Sequence, residues 1–240
     1  MNERKWPSCA TCSIRNKACQ EEQGSGPDFC PTLHQKEVIE EAIREYQKEE
    51  IREFARSASI QEAECYAHRH IKPYNILYPV KSRVQEVCEF AKKMGYQRLG
   101  IAFCDGLRSE AKSLSEILRA QGFDVVSAVC KVGCTPKEVL GLEENQKIAI
   151  GEFESMCSPI SQAAILNEAD TDFNILVGLC VGHDSLFLKY SSSFCTVLVA
   201  KDRVLGHNPA AALHSTGSYY AKLLKPGIDP NTSEGADLEK

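Results

Sequence analysis

Residues 97–104 read QRLGIAFC, residues 123–130 read FDVVSAVC, and residues 173–180 read FNILVGLC. Each is a short apolar run, long enough for one strand and too short for a helix. Residues 107–121, between the first two runs, have helical periodicity and end at Gly122. A short helix is expected near Thr135, and residues 159–168 read as a helix ahead of the third run. Residues 185–190 read as a short helix, 194–200 (FCTVLVA) as a fourth strand, and 209 to about 224 as a last helix. Apolar strands alternating with helices predict a parallel sheet covered on both faces. The expected class is α/β, an open doubly wound parallel sheet of about four strands.

Towards the N-terminus, residues 80–94 (VKSRVQEVCEFAKKM) place Val80, Val84, Val87, Cys88 and Ala91 on one helical face, with Gly95 as the stop. Residues 35–59 read as one long helix. Its apolar stripe is Ile39, Ala42, Ile43 and Tyr46, resumed by Ile51, Phe54, Ala55 and Ala58. Pro73 and Pro79 break any helix in 61–80. Residues 1–33 have too few large apolar side chains to make a core. The expected organisation is a cysteine-rich metal segment (1–33), a helical region (34–95), the α/β domain (96–225) and a loose polar tail (226–240).

The 240 residues are 43% hydrophobic and 25% charged, the balance of a globular protein. Lys and Arg number 28 against 33 Asp and Glu, a net charge of −5. With no basic cluster, nucleic-acid binding is not expected. No apolar run reaches the roughly 18 residues of a membrane span, and MNERKWPSCATC carries no apolar signal core. A cytoplasmic protein is expected. There its 12 cysteines would stay reduced, which favours metal or redox chemistry over a disulfide framework.

The cysteines fall into two sets. Cys9-x2-Cys12-x6-Cys19-x10-Cys30 places four soft thiolate donors in a segment that cannot fold on its own core. Zinc ribbons use two C-x2-C knuckles, and only one is present. Cys30 is followed by Pro31, as in ferredoxin ligand runs. An iron–sulfur cluster is therefore favoured, with zinc at Cys9, Cys12, Cys19 and Cys30 as the alternative. The second set emerges once the strands are drawn. Cys104, Cys130 and Cys180 end three strands, and Cys157 stands just before the helix opened by Ser158-Pro159. Ligands of open parallel sheets bind outside the carboxyl ends of the strands. Neighbouring strands are about 4.8 Å apart, a scale that suits ligands around one cluster. Cys134 is a substitute ligand for this second set.

His183 (LCVGHDS) and His207 (GHNPAAAL) face the same edge and are the candidate acid–base groups. Asp105 and Gly106 are expected to line the crevice. Cys88 and Cys195 read as packing residues, and Cys65, His68 and His70 as exposed polar chain. Phosphate-loop, G-x-G-x-x-G and G-x-S-x-G motifs are all missing, so nucleotide binding and serine hydrolysis have no positive support.

PSCATC with a later DFCPT, GIAFC, CKVG, MCSPISQAAILN, GLCVGHDSLF and AKDRVLGHNPAAAL together resemble domain of unknown function 1847 over residues 7–225. Members are labelled predicted metal-binding proteins, many from anaerobic bacteria and archaea. The resemblance implies metal binding and brings no established reaction. It carries over Cys9, Cys12, Cys19, Cys30, Cys104, Cys130, Cys157 and Cys180 as motif cysteines, a number that two [4Fe–4S] clusters would use up. The expected function is electron transfer to a redox partner, or a reductive step on a small-molecule substrate. A zinc-stabilised binding module and a thiol redox sensor acting through Cys157 are the alternatives.

Overall fold

A computed structural model of the chain describes residues 6–71 and 77–225. The expected tail, 226–240, lies outside the described residues, as do residues 1–5 and Pro73. The chain divides into two compact units, Met1–Val80 and Lys81–Lys240.

In the first unit, Cys9–Thr11 forms one 3-10 turn, followed by α1 (Pro31–His34), α2 (Lys36–Glu45) and α3 (Glu49–Glu64). The single helix expected over 35–59 is therefore two helices. The apolar stripe explains the break: Tyr46 and Ile51 are five residues apart, out of phase with a 3.6-residue repeat. An extended Lys48 (φ −66°, ψ 130°) resets the phase before α3. Helix α3 also runs past the expected end. Cys65 caps it, buried rather than exposed, its thiol donating to the Gln61 carbonyl at 3.0 Å. A short antiparallel pair follows, β1 (Tyr66–Ala67) with β2 (Tyr78–Pro79), which no sequence pattern announced.

The second unit opens with α4 (Arg83–Lys93). Ser82 caps it, its side chain accepting from the Gln85 N–H, and Gly95 follows at φ 71°. Four strands then form a fully parallel sheet: β3 (Arg98–Phe103), β4 (Asp124–Val129), β5 (Phe173–Val177) and β6 (Cys195–Val199), in the order β4-β3-β5-β6. Helix α5 (Arg108–Ala120) joins β3 to β4, and α6 (Pro159–Glu168) lies between β4 and β5. The chain moves outwards from β3 to β4, then returns past β3 to β5. Right-handed crossovers in opposite directions place α5 and α6 on opposite faces. The expected doubly wound α/β architecture is present, and its topological switch point lies between β3 and β5.

Two close contacts fix this sheet. A Cβ at buried Gly100 would meet Asn174 Oδ1 at 1.9 Å and Leu166 Cδ1 at 2.8 Å. Glycine thus makes room for a buried asparagine that accepts from Thr171 Oγ1 at 2.8 Å and donates to Ser191 Oγ at 2.9 Å. Gly178, just past β5, has φ 66° and packs under the Leu107 side chain. That glycine turn ends β5 at Val177, so Cys180 stands three residues beyond the strand rather than at its end as expected. Helix α7 (His183–Tyr190) follows. The last expected helix is shortened to α8 (Ala210–His214), with turns and a 3-10 segment, Ala221–Leu224, after it. The run Ser215-Thr216-Gly217-Ser218 favours turns over helix. The helix expected near Thr135 is one 3-10 segment, Lys137–Leu140, ending at Gly141 in the left-handed region.

Candidate functional site

The parallel ladder sets the thiols side by side. Phe103 pairs with Val129 and with Val177, and the ladder runs one residue further on both sides. Cys130 N–H bonds the Phe103 carbonyl at 2.9 Å, and Cys104 N–H bonds the Val177 carbonyl at 3.0 Å. Cys104 and Cys130 thus leave adjacent strands at the same level. Cys104, Cys157 and Cys195 pack against the buried cluster that contains Cys130, Ala163, Leu166, Leu179 and Phe187.

Cys157 returns to this edge by a long excursion. Residues 131–157 form a loop pinned to itself by backbone bonds from Lys137 to Glu154 and from Met156 to Thr135. An ion pair between Lys137 and Glu154 at 2.8 Å reinforces it. The nearly buried Lys147 ammonium joins Glu138, Glu144 and the Glu152 carbonyl. Lys131 Nζ donates to the Ser155 carbonyl, and Ser158 N–H donates to the Cys130 carbonyl at 2.7 Å. Cys157 is thereby delivered to Cys130 at the start of α6 and packs against the buried cluster that contains it. Cys134 instead sits exposed in a turn at φ 48°.

The electrostatics separate the two partners. The Cys130 bond holds the Cys157 thiol down to about 5; Lys131 and His183 add to this, and burial opposes it. Cys130 is pushed the other way, first by donating to Cys157 and then by burial. Asp105 N–H donates to Cys130 Sγ at 3.3 Å, so Asp105 reaches the site through its backbone while its carboxylate pairs with Arg108. Gly106 leaves room for Lys201, whose Nζ would be 3.4 Å from a Cβ there.

Each remaining thiol meets a cation from the loop after β6. Lys201 Nζ lies 3.5 Å from Cys104 Sγ, and an Arg203 guanidinium nitrogen lies 3.0 Å from Cys180 Sγ. These cations, with Lys131, were missed in the sequence. Their signal was position, because Lys131 follows Cys130 directly and Lys201 and Arg203 follow the fourth strand. His183 is the first residue of α7, close enough to favour the Cys157 thiolate. His207, at φ 66°, is fixed within its own loop: its Nδ1 accepts from the Asp202 N–H at 3.1 Å. Gln162 was also unforeseen. It is fully buried, and its amide donates to the carbonyls of Phe103 and Ala128 at 3.2 and 2.7 Å, just behind Cys104 and Cys130.

In the first unit, a turn links Cys9 to Cys12, whose N–H bonds the Cys9 carbonyl at 3.1 Å, and Cys30 caps α1. Cys9 and Cys19 are exposed, and Cys12 and Cys30 are half-buried. All 12 cysteines are free thiols. Among the described residues, no three or more His, Cys, Asp and Glu side chains form a group that could hold a metal ion. At the sheet edge a backbone bond brings the Cys157 segment to Cys130, and Cys104 and Cys180 are held on separate cations. Cys88 and Cys195 are packing thiols, and burial raises both. Among the described residues, no helix is long and apolar enough to cross a membrane.

The family profile described as protein of unknown function (DUF1847) matches residues 30–198. An uncharacterized protein of Methanocaldococcus jannaschii is 45% identical over 192 residues, covering 80% of this chain and 90% of its own. No solved structure matches. With most of the chain covered on both counts, the protein belongs to the DUF1847 family.

Proposed function

We propose that this is a metal-binding, iron–sulfur protein of a reducing, cytoplasmic setting. Cys104, Cys130, Cys157 and Cys180 would ligate one [4Fe–4S] cluster, and Cys9, Cys12, Cys19 and Cys30 a second. The observation that carries the reading is the pairing of sulfur with positive charge at one sheet edge. Lys201 lies on Cys104, Arg203 on Cys180, and Lys131 beside Cys157. Thiolate ligands around a cluster form an anionic assembly, and hydrogen bonds and net charge at the sulfurs set its potential. A single tetrahedral zinc needs four donors within about 2.3 Å of one point. Cys104 and Cys180 are held on separate cations and Cys157 is brought to Cys130, so the four donors come from four separate segments, as the ligands of a cluster can.

A bound cluster would supply one-electron transfer. The residues around it do the rest. Lys201 and Arg203 hold Cys104 and Cys180 and offset their charge. Gln162 ties the ends of β3 and β4 to α6, keeping three ligand segments in register. His183 stands beside Cys157, and His207 is held with Nδ1 occupied, leaving Nε2 to carry the proton. These two histidines are the proton-handling groups for a reductive step on a small molecule.

Metal and acid-labile sulfide analysis of anaerobically prepared protein tests this. The expectation is a brown protein with about eight irons per chain. Cys180→Ser is expected to leave about four, as is Cys130→Ser. A colourless protein with one tightly held zinc would overturn the reading.

A further inference from the structure

Cys130 and Cys157 stand out from the other cysteines because a backbone bond ties the Cys157 segment to Cys130 and Cys157 packs against the buried cluster that holds Cys130. That bond joins the Ser158 N–H, in the residue after Cys157, to the Cys130 carbonyl at 2.7 Å. A disulfide needs Cα atoms within about 7 Å and side chains aimed at each other. The loop carrying Cys157 starts from Cys130 itself, and its clasp at Lys131 and Ser155 holds the two ends together. The pair is also asymmetric in access. Cys130 is 3% exposed and lies in the core cluster, whereas Cys157 is half-buried at the rim.

We propose that Cys130 and Cys157 form a redox modification site: in the metal-free protein a low-molecular-weight disulfide oxidises them to an intramolecular disulfide, with Cys157 the entry thiol and Cys130 the resolving thiol. The Cys157 sulfur attacks one sulfur of the small disulfide, breaking its S–S bond and releasing one small thiol. Cys130 then attacks Cys157 Sγ and breaks the mixed disulfide, releasing the second small thiol. The two protein sulfurs lose two electrons to the small disulfide. The Cys130 proton ends on one small thiol, and the other leaves as thiolate and takes its proton from water, so the exchange balances. The closed disulfide removes two of the four sheet-edge donors, so oxidation of the empty site blocks its loading. The chemistry of the pair stands without the iron–sulfur reading; only this consequence rests on it.

The test uses full-length protein, stripped of metal by a chelator under reducing conditions, desalted anaerobically and treated with oxidised glutathione. Non-reducing peptide mapping by mass spectrometry is expected to show one Cys130–Cys157 linked pair. Cys130→Ser is expected to stop the reaction at a glutathione adduct on Cys157. Cys157→Ser is expected to leave Cys130 unmodified, since burial keeps oxidant from it. Circular dichroism confirms that each variant is folded, and the wild-type map decides alone if one is not. Overturning results are Cys157 left as a free thiol or linked to another cysteine, or Cys130 taking up glutathione first. Iron content is measured separately on untreated protein. Absence of iron there overturns the cluster reading and leaves the pair intact; a missing crosslink in protein that does hold iron overturns the pair alone.

Discussion

Replacing Gly100 with alanine adds one methyl group where the structure has no room for it. Gly100 is buried in the middle of β3, between β4 and β5, and its backbone is not in the left-handed region. In open space, Gly→Ala would stabilise by about 0.4–1 kcal/mol through the unfolded chain. Here the new Cβ falls 1.9 Å from Asn174 Oδ1 and 2.8 Å from Leu166 Cδ1. Ladders on both sides hold the strand, so Asn174 must give way. It then loses its bonds to Thr171 and Ser191. Overpacking costs about 1–3 kcal/mol, and two buried hydrogen bonds add about 0.5–1.5 kcal/mol each. The expected loss is about 2–6 kcal/mol. Because the chain has two compact units, the readout should be local. Hydrogen exchange of the β3 and β5 amides is expected to speed up at least about 30-fold, the equivalent of 2 kcal/mol. Asn174→Ala removes the obstacle, so Gly100→Ala should cost under about 1 kcal/mol in that background, a strong coupling between the sites. A loss below about 1 kcal/mol in the wild type, or an equal loss in both backgrounds, would refute the reasoning.

Three further outcomes are expected. Asp172 accepts the N–H groups of Gln97 and Arg98 at 2.7 and 2.8 Å, so Asp172→Ala should loosen the start of β3 by about 1–2 kcal/mol, read as faster exchange at Arg98. Arg83 covers the outer side of edge strand β6 by donating to the Val197 carbonyl and Thr196 Oγ1. Arg83→Ala should change stability by under about 1 kcal/mol yet promote concentration-dependent association by sedimentation velocity, because it bares the edge. Glu154 is held down to about 2, chiefly by Lys137 and then by the N–H groups of Ala149 and Ile148. Since its folded value lies below the ordinary 4.5, its contribution is complete above about pH 4.5 and is lost as pH falls towards 2. Exchange in 131–157 should therefore quicken across that window in the wild type, and Glu154→Gln should flatten the response.

The sheet was legible because its central strands, β3 and β5, are buried on both faces, and double burial leaves an unbroken apolar run. QRLGIAFC and FNILVGLC can be little else at that length. Helix α6 was readable to the residue, with Pro159 at its first position. The failures have a different origin. The break at Tyr46–Lys48 contains no Gly or Pro and shows only as a phase slip in the stripe. The early end of β5 depends on Gly178 turning under Leu107, a contact between segments 71 residues apart in sequence. The same holds for the site. Strand ends predicted which cysteines reach the carboxyl edge, but pairing Lys201 with Cys104 and Arg203 with Cys180 requires knowing that β6 lies beyond β5. Strand order is set by crossovers, and no single segment encodes it.

The cations also bear on why these cysteines are there. A cysteine that only fills space is a small hydrophobe, best served by apolar neighbours. Cys88 and Cys195 fit that description, since burial raises both thiols. Cys104, Cys157 and Cys180 do not. Each has a lysine or arginine at its sulfur or beside it. Holding an ammonium or guanidinium against a neutral thiol costs hydration and returns little, because a thiol is a weak acceptor. The arrangement becomes favourable when sulfur carries negative charge, as thiolate or as a metal ligand. Three such pairings on one sheet edge, drawn from loops after β4 and β6, place positive charge where anionic sulfur would gather. That is the physical difference between the sheet-edge cysteines and the two that merely pack.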